Sequence, residues 1–275
     1  MRAKLKTLTR LDTEIAKIYN DKYLGNSILK HFSDLNDLYK TDPKHFKILF
    51  RRDRFMLSTY LAIHYYTCPE PSVSDLKRKC LALNLVSNNT IYSLLDYFIV
   101  NNDIILYDSN NDKRTSLYSF TTKGKEAIKD LIRTMIPAIQ VLKPDTPVDV
   151  IYDDKFLSKY FERYAEIAGL GYVSFTNVEH IDLFIKKDAG HLILLNIYFN
   201  QDRVGNLGMS VTNLSKICSV SRNHIFSIIN SAVDVGMILK TNTPEKYVIC
   251  QSFNDMVEKY MSTYFMCIIY ALGLL

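Results

Sequence analysis

Apolar residues recur every three or four positions in two successive runs between residues 72 and 100, which is the spacing of two amphipathic helices. Ser72 and Ser87 stand immediately before these runs, where a serine hydroxyl can cap the first turn of a helix. The alternating stretch 104–120, interrupted by a polar turn, predicts a two-stranded hairpin. The pattern therefore predicts a helix, a turn, a second helix and a hairpin, in that order.

The same order returns in the second half of the chain. The matching segments are 45–53 with 180–188, 72–76 with 210–214, and 87–93 with 221–227, at offsets of 134 to 138 residues. Matches that keep their order along the chain indicate an internal duplication. His45 and His180 are equivalent positions of this repeat. We expect both to lie on helices and to pack near the junction of the two halves.

Longer stretches of helical periodicity flank both halves, and they predict helices over 24–39, 123–139, 156–167 and 252–272. Pro144 and Pro147 interrupt the pattern between the halves, because proline cannot occupy a helix interior. We therefore expect two units joined by a linker. The units are residues 1–140 with a core at 57–122, and residues 152–275 with a core at 190–251, and the linker is 141–151.

Composition adds a charge asymmetry to this picture. Residues 1–140 carry 22 Lys and Arg against 15 Asp and Glu, whereas residues 141–275 carry 12 against 14. A polyanionic partner is therefore expected to contact the first half preferentially. The five cysteines are an odd number without a Cys-x-x-Cys pair, which favours a reducing, cytoplasmic setting over a disulfide framework.

Signals for catalysis and for membranes are missing from the sequence. It contains no P-loop, dinucleotide-binding glycine motif, zinc-protease motif or nucleophile elbow, so we expect a protein that is not an enzyme and has no cofactor or metal site. The basic N-terminus lacks the apolar run of a signal peptide. The apolar window 261–275 is shorter than the roughly 20 residues of a membrane span. It predicts a buried helix.

Residues 112–124 read Asp-Lys-Arg-Thr-Ser-Leu-Tyr-Ser-Phe-Thr-Thr-Lys-Gly, a charged turn followed by a strand and a helix start. This spacing resembles the wing signature of the MarR family of winged helix-turn-helix regulators, which is Asp-x-Arg, an apolar residue and Thr-x-x-Gly. Phe120 stands where the family usually has leucine. The resemblance covers about 57–140 well and 190–272 by architecture only, since the turn 241–246 lacks Asp-x-Arg. The two-domain SarA-like regulators are the nearest precedent for the tandem arrangement.

The resemblance implies a mainly α fold with small β wings, in which two winged helix-turn-helix domains form an intramolecular pseudo-dimer of one chain. It implies a transcriptional regulator that binds double-stranded DNA at an imperfectly palindromic operator and does not bind membranes. Relatives often bind small aromatic effectors between the flanking helices and the winged domains. No residue of this sequence identifies such an effector site.

Candidate DNA contacts follow from this geometry, because the second helix of the motif lies in the major groove and the wing can enter a minor groove. Asparagine can pair with adenine, lysine and arginine can meet phosphates, and Asp112 would orient Arg114. The candidates are Lys77, Arg78, Lys79, Ser87, Asn88, Asn89, Thr90, Tyr92, Ser93, Lys113 and Arg114 in the first half, and Lys216, Ser221, Arg222, Asn223 and His224 in the second.

Each candidate also has a structural alternative: helix capping for the serines and asparagines, a solvated helix face for the basic run 77–79, and a polar hairpin tip for the wing. No Lys or Arg lies between Ser87 and Asn101, which argues against strong guanine recognition. Two other functions therefore stay open. One is a plasmid replication initiator with tandem winged helices, and the other is an interaction protein that has lost DNA binding.

Overall fold

The structure is a computed structural model that describes residues 2–83, 86–109, 114–146 and 153–275. It is mainly helical, with two small antiparallel sheets of two strands each within these residues. The mainly α character with small β elements is therefore confirmed.

The predicted order of a helix, a turn, a second helix and a hairpin is present in both halves. In the first half they are α1 (Arg2–Tyr19), α2 (Leu24–Thr41), α3 (Pro43–Leu49), α4 (Arg52–Thr67), α5 (Val73–Ala82), α6 (Asn88–Val100), β1 (Ile104–Asp108), β2 (Ser116–Phe120), α7 (Thr122–Arg133) and α8 (Ile136–Leu142). In the second half they are α9 (Asp154–Gly169), α10 (Asp182–Ile185), α11 (Gly190–Phe199), α12 (Val211–Ile217), α13 (Arg222–Asp234), β3 (Ile238–Lys240), β4 (Tyr247–Ile249) and α14 (Gln251–Ala271).

Serine caps fix the start of the helix pair in each half. The Ser72 and Ser87 hydroxyls accept hydrogen bonds from the backbone N–H groups of the third residues of α5 and α6, at 3.1 and 3.3 Å. Ser210 and Ser221 do the same for α12 and α13, both at 3.1 Å. Because a cap satisfies an N–H group that the helix itself leaves unpaired, these four positions are confirmed as helix starts.

In each half, one residue before the helix pair makes an isolated β-bridge to the second strand of the hairpin. Ser72 bridges to Leu117 of β2, and Asn206 bridges to Val248 of β4. The first hairpin pairs Ile104 with Phe120, and the second pairs Ile238 with Ile249. The two halves thus share their strand arrangement as well as their helix order.

The Thr-x-x-Gly part of the wing signature has a clear local role. Thr121 caps α7 by accepting a hydrogen bond from the Gly124 N–H at 3.1 Å. A Cβ at Gly124 would lie 2.1 Å from the Asp103 carbonyl oxygen, so the approach of α7 to the β1 start requires glycine.

The two halves pack against each other through α2 and α9, because each of these helices contacts both halves. We call α2 and α9 the exchanged helices. Helix α2 packs along α8 and also against α11 of the second half, while α9 packs along α14 and also against α4 of the first half. Helix α1 lies along α14. One continuous apolar core therefore includes residues of both halves, and a smaller cluster lies under the first hairpin.

This exchange reveals a further pair of similar segments. Residues 28–32 of α2 read Ile-Leu-Lys-His-Phe, and residues 157–161 of α9 read Leu-Ser-Lys-Tyr-Phe. Both segments lie on helices that contact the opposite half. Five residues are too short a match to indicate a repeat by themselves. The reciprocal packing of α2 and α9 supports the view that the two segments are equivalent.

Two sequence-based expectations were wrong in detail. The predicted helix over 123–139 is interrupted at Thr134 and Met135, because Pro137 lies in the first turn of α8 and cannot continue a preceding helix. His180 lies before α10 with φ of 63°, so it occupies a turn and does not match the helical position of His45.

The apolar C-terminal segment is a buried helix, as its pattern predicts. Most of α14 from Phe253 onward is buried within the shared core. Within the described parts of the chain, no helix has the length and apolarity needed to cross a membrane.

Candidate nucleic-acid interface

A surface groove of about 600 Å³ lies between α5, α6 and the start of β2. Lys77, Arg78, Tyr92 and Arg114 all line it, although they come from three different elements. Four of the candidates chosen from sequence are thereby brought to one site, which we call the basic groove. Thr115 and Ser116 add polar groups beside Arg114.

Lys77 and Tyr92 hold each other in position across the basic groove. The Lys77 Nζ donates a hydrogen bond to the Tyr92 hydroxyl at 2.9 Å and lies 4.8 Å from the centre of its ring. Tyr92 remains 48% exposed. A cation that is hydrogen-bonded to a neutral hydroxyl keeps its full charge, so Lys77 can still attract a phosphate.

Asp75 organises the other two cations of α5. Its carboxylate accepts from Lys79 at 2.9 Å and from Arg78, whose side chains remain 52% and 78% exposed. The hydrogen bonds from Lys79 and Arg78 hold the pKa of the Asp75 carboxyl well below its ordinary value, so it stays ionised. The buried His64 ring also contacts Asp75, at 2.9 Å from Nε2 to Oδ2.

The start of α6 presents uncharged polar side chains. Asn88 and Asn89 are exposed, whereas the Ser87 hydroxyl serves as the cap and the Ser93 hydroxyl donates to the Thr90 carbonyl oxygen at 3.1 Å. The first turn carries no acidic residue. The positive end of the helix dipole is therefore left uncompensated by a carboxylate.

The first hairpin is described only in part, because residues 110–113 lie outside the described residues. Arg114 is exposed just before β2, and the backbone N–H of Ser109, the residue after β1, donates a hydrogen bond to the Thr115 carbonyl oxygen at 3.0 Å. Asp112 and Lys113 lie outside the described residues. The expected pairing of Asp112 with Arg114 stays a prediction.

The second half arranges its charges differently. Arg222, at the start of α13, pairs with Glu245 of the β3–β4 turn at 2.7 Å and lies 5.7 Å from the Phe226 ring. His224 contacts the Asp188 carbonyl oxygen through Nε2 at 3.1 Å. Ser221 caps the helix, while Asn223 and Lys216 are exposed. Three of the five candidates in this half are thus already engaged within the protein: Ser221, Arg222 and His224.

The sequence prediction did not include the residues that position these cations. The pairing of Asp75 with Arg78 and Lys79 could have been predicted, because they lie three and four residues apart on one helix face. The contacts of Asp75 with His64 and of Arg222 with Glu245 join different elements. No spacing along the chain signals them.

No known protein family, curated protein or solved structure matches this chain. The assignment of function therefore depends on the geometry and charge of the site.

Proposed function

We propose that the protein is a DNA-binding transcriptional regulator with two winged helix-turn-helix units in one chain. The observation that carries the proposal is the basic groove, in which Lys77 and Arg78 of α5, Tyr92 of α6 and Arg114 of the hairpin line one surface. In a winged helix-turn-helix, one helix enters the major groove, and cations on the neighbouring helix and on the wing contact the phosphates on either side of it.

In this proposal α6 enters the major groove with Asn88 and Asn89 at the base edges. Lys77, Arg78 and Lys79 meet the phosphates on one side, and Arg114 reaches the adjacent minor groove. Phosphate contacts supply most of the affinity, because α6 carries no lysine or arginine for guanine.

The second unit contributes less to DNA binding. Its helix-start cation Arg222 is paired with Glu245, and its half of the chain is slightly acidic. Because α6 and α13 belong to one chain, both would contact the same operator. We expect their two binding positions to lie about one helical turn of DNA apart, roughly 34–36 Å. The unequal charges favour an imperfect palindrome.

The test is fluorescence anisotropy of the full chain with random-sequence and A·T-rich duplexes in low salt. Replacing Arg114 with alanine should weaken binding roughly tenfold, since an inserted arginine carries a large share of wing affinity. The Lys79→Gln substitution should reduce the slope of log affinity against log salt by about one. Lys40→Ala, on α2 and paired with Asp37, is the matched control.

Absence of binding to any duplex would overturn the proposal. It would favour an interaction protein, which is also consistent with the pairing of Arg222 with Glu245 and with the lack of lysine and arginine on α6. Unchanged affinity of the Arg114→Ala variant would reject the wing contact while leaving the helix contact in place.

A further inference from the structure

A buried histidine contacts the carboxylate that holds the cations of α5. His64, near the end of α4, is 3% exposed, and its Nε2 lies 2.9 Å from Oδ2 of Asp75. The same carboxylate accepts hydrogen bonds from Arg78 and Lys79, whose side chains are exposed. One partly exposed carboxylate therefore connects an interior imidazole ring with two cations at the surface.

The other ring nitrogen of His64 faces a tyrosine. Its Nδ1 lies 2.9 Å from the hydroxyl of Tyr118 on β2, and that hydroxyl lies 3.0 Å from the Leu61 carbonyl oxygen. The hydroxyl has one proton and two neighbours that can accept it. It can therefore donate either to Nδ1 or to the carbonyl oxygen.

This arrangement satisfies the His64 ring in both of its protonation states. In the neutral ring, Nε2 carries the proton and donates to Asp75, while Nδ1 accepts from Tyr118. In the charged ring both nitrogens donate, and the Tyr118 hydroxyl turns its proton to the Leu61 carbonyl oxygen. Because one hydroxyl rotates and no other group has to move, the ring can take up a proton and keep both of its hydrogen bonds.

The surroundings of His64 act on its charge in opposite directions. Burial lowers the pKa of His64 below its ordinary value, the hydrogen bond to Asp75 raises it, and the charge of Lys79 lowers it. Burial also raises the pKa of the Tyr118 hydroxyl far above neutral pH and that of the Cys80 thiol on α5 to about 11, so both stay neutral. A change in the charge around Lys79 therefore changes how readily His64 binds a proton.

We propose that His64 is a proton-binding site coupled to the basic groove, so that DNA bound at the groove and a proton on His64 stabilise each other. Phosphates that pair with Arg78 and Lys79 draw these cations away from Asp75, and the carboxylate then holds a charged imidazole instead. By reciprocity, the proton raises DNA affinity by the factor by which DNA raises proton affinity. This inference rests on the proposed DNA binding and adds regulation by pH to it.

The direction of the effect follows from the signs of the charges. In the free chain His64 is neutral at pH 7.5, because its pKa lies below 6.5. Bound phosphates bring negative charge to the groove and raise this pKa. DNA affinity should therefore rise as the pH falls toward and below 6.5, and proton uptake should accompany binding.

The test uses the full chain and an A·T-rich duplex. Fluorescence anisotropy at pH 7.5 and 6.0 should show a gain in affinity of roughly fivefold at the lower pH, which is the lower end of typical coupling between two sites. Isothermal titration calorimetry at pH 6.5, in buffers with different ionisation enthalpies, counts the protons taken up. The His64→Gln variant keeps an N–H donor for Asp75 but cannot titrate, so its affinity should depend less on pH and its proton uptake should be smaller.

Two further variants separate this role from effects on folding and from the other histidines. Tyr118→Phe keeps His64 but removes the hydroxyl that accepts from Nδ1 of the charged ring, so it should also reduce proton uptake. His180→Asn changes a partly exposed histidine outside the basic groove and should take up as many protons as the wild type. Cooperative urea unfolding at pH 7.5 shows that each variant is folded.

A measurement without DNA tests the coupling itself. Nuclear magnetic resonance follows the titration of the His64 ring in the free chain. Lys79→Gln removes an opposing cation and should move this titration to higher pH, whereas Asp75→Asn removes the favourable carboxylate and should move it to lower pH. An unchanged titration in both variants would overturn the inference, whether or not the protein binds DNA.

Equal pH dependence and equal proton uptake in the wild type and the His64→Gln variant would also overturn the inference. The DNA-binding proposal would then stand, because both proteins bind the duplex. Absence of binding to any duplex would instead overturn the proposed function, and with it the link between His64 and DNA.

Discussion

His31 and His191 illustrate what single residues decide in this fold. They meet in the shared core with their Nε2 atoms 3.4 Å apart, and both are almost fully buried. Tyr260 lies 2.9 Å from Nδ1 of His191, and the Thr134 carbonyl oxygen lies 3.3 Å from Nδ1 of His31. If each ring carries one proton, Tyr260 donates to His191, His191 to His31, and His31 to Thr134. Both neutral histidines are thereby satisfied.

This pair should make the protein sensitive to acid. Burial lowers the pKa of both rings below the ordinary histidine value of 6.5, and that of His31 reaches about 4. The unfolded chain then binds more protons, so stability is present above pH 6.5 and is lost as the pH falls toward 4. The loss should be up to about 1.4 kcal/mol per pH unit for each histidine.

Urea unfolding at pH 7.5 and 5.0 checks this expectation. His191→Gln should reduce the loss of stability between the two values, whereas His180→Asn should not, since His180 is partly exposed and its φ of 63° suits asparagine. An equal loss in the wild type and the His191→Gln variant would contradict the role of the pair.

At the scale of elements, the two helix pairs differ in where they carry charge. In the first half the cations of the basic groove lie on α5 and in the first hairpin, and α6 itself has no lysine or arginine. In the second half a cation begins α13, and the turn opposite it supplies Glu245. The same arrangement of helices and strands therefore presents two different electrostatic faces. An exposed ion pair such as Arg222 with Glu245 contributes little to stability. Its main effect is therefore on the attraction of a charged binding partner.

Replacing Glu245 with glutamine should strengthen DNA binding by a factor of roughly two to five, because it removes a negative charge near the phosphates and releases Arg222. Asp234→Asn, at the exposed end of α13, is the matched control. Anisotropy titrations at two salt concentrations provide the measurement. If affinity and salt dependence are the same in both variants, α13 does not contact DNA.

At the scale of the whole molecule, the halves depend on each other for their cores. Helices α2 and α9 each pack on the helix that precedes the helix pair of the opposite half, which is α11 or α4. Ion pairs reinforce the junction, with Arg52 bound to Asp182, and Arg54 3.3 Å from Asp188. The Ala189 N–H donates to the Lys47 carbonyl oxygen at 3.1 Å across the same junction.

Fragments 1–146 and 153–275 should therefore fail to fold separately and should fold when mixed. Each fragment alone would expose the apolar faces that the exchanged helices cover. Circular dichroism and urea unfolding of the single fragments and of the equimolar mixture give the measurement. A cooperative transition for either fragment alone at the midpoint of the intact chain would refute this dependence.

The local pattern of the sequence determined most of the elements. Helical periodicity, serine caps and alternating strands are properties of neighbouring residues, so α5, α6 and the first hairpin were predicted close to their observed bounds. The break at Pro137 and the turn at His180 were missed. The predicted helix 123–139 ran through Pro137, although a proline cannot occupy a helix interior. His180 was assigned to a helix only because it matches His45 in the repeat.

Tertiary structure alone decided which distant groups meet. The exchange of α2 and α9, the meeting of His31 with His191, the approach of Glu245 to Arg222 and the contact of His64 with Tyr118 all join residues far apart in the chain. Spacing along a sequence specifies contacts within a helix or hairpin, whereas contacts between elements arise from the packing of whole apolar faces. For that reason the sequence by itself determined the elements and their duplication, and only the packed structure decided how the two halves hold each other.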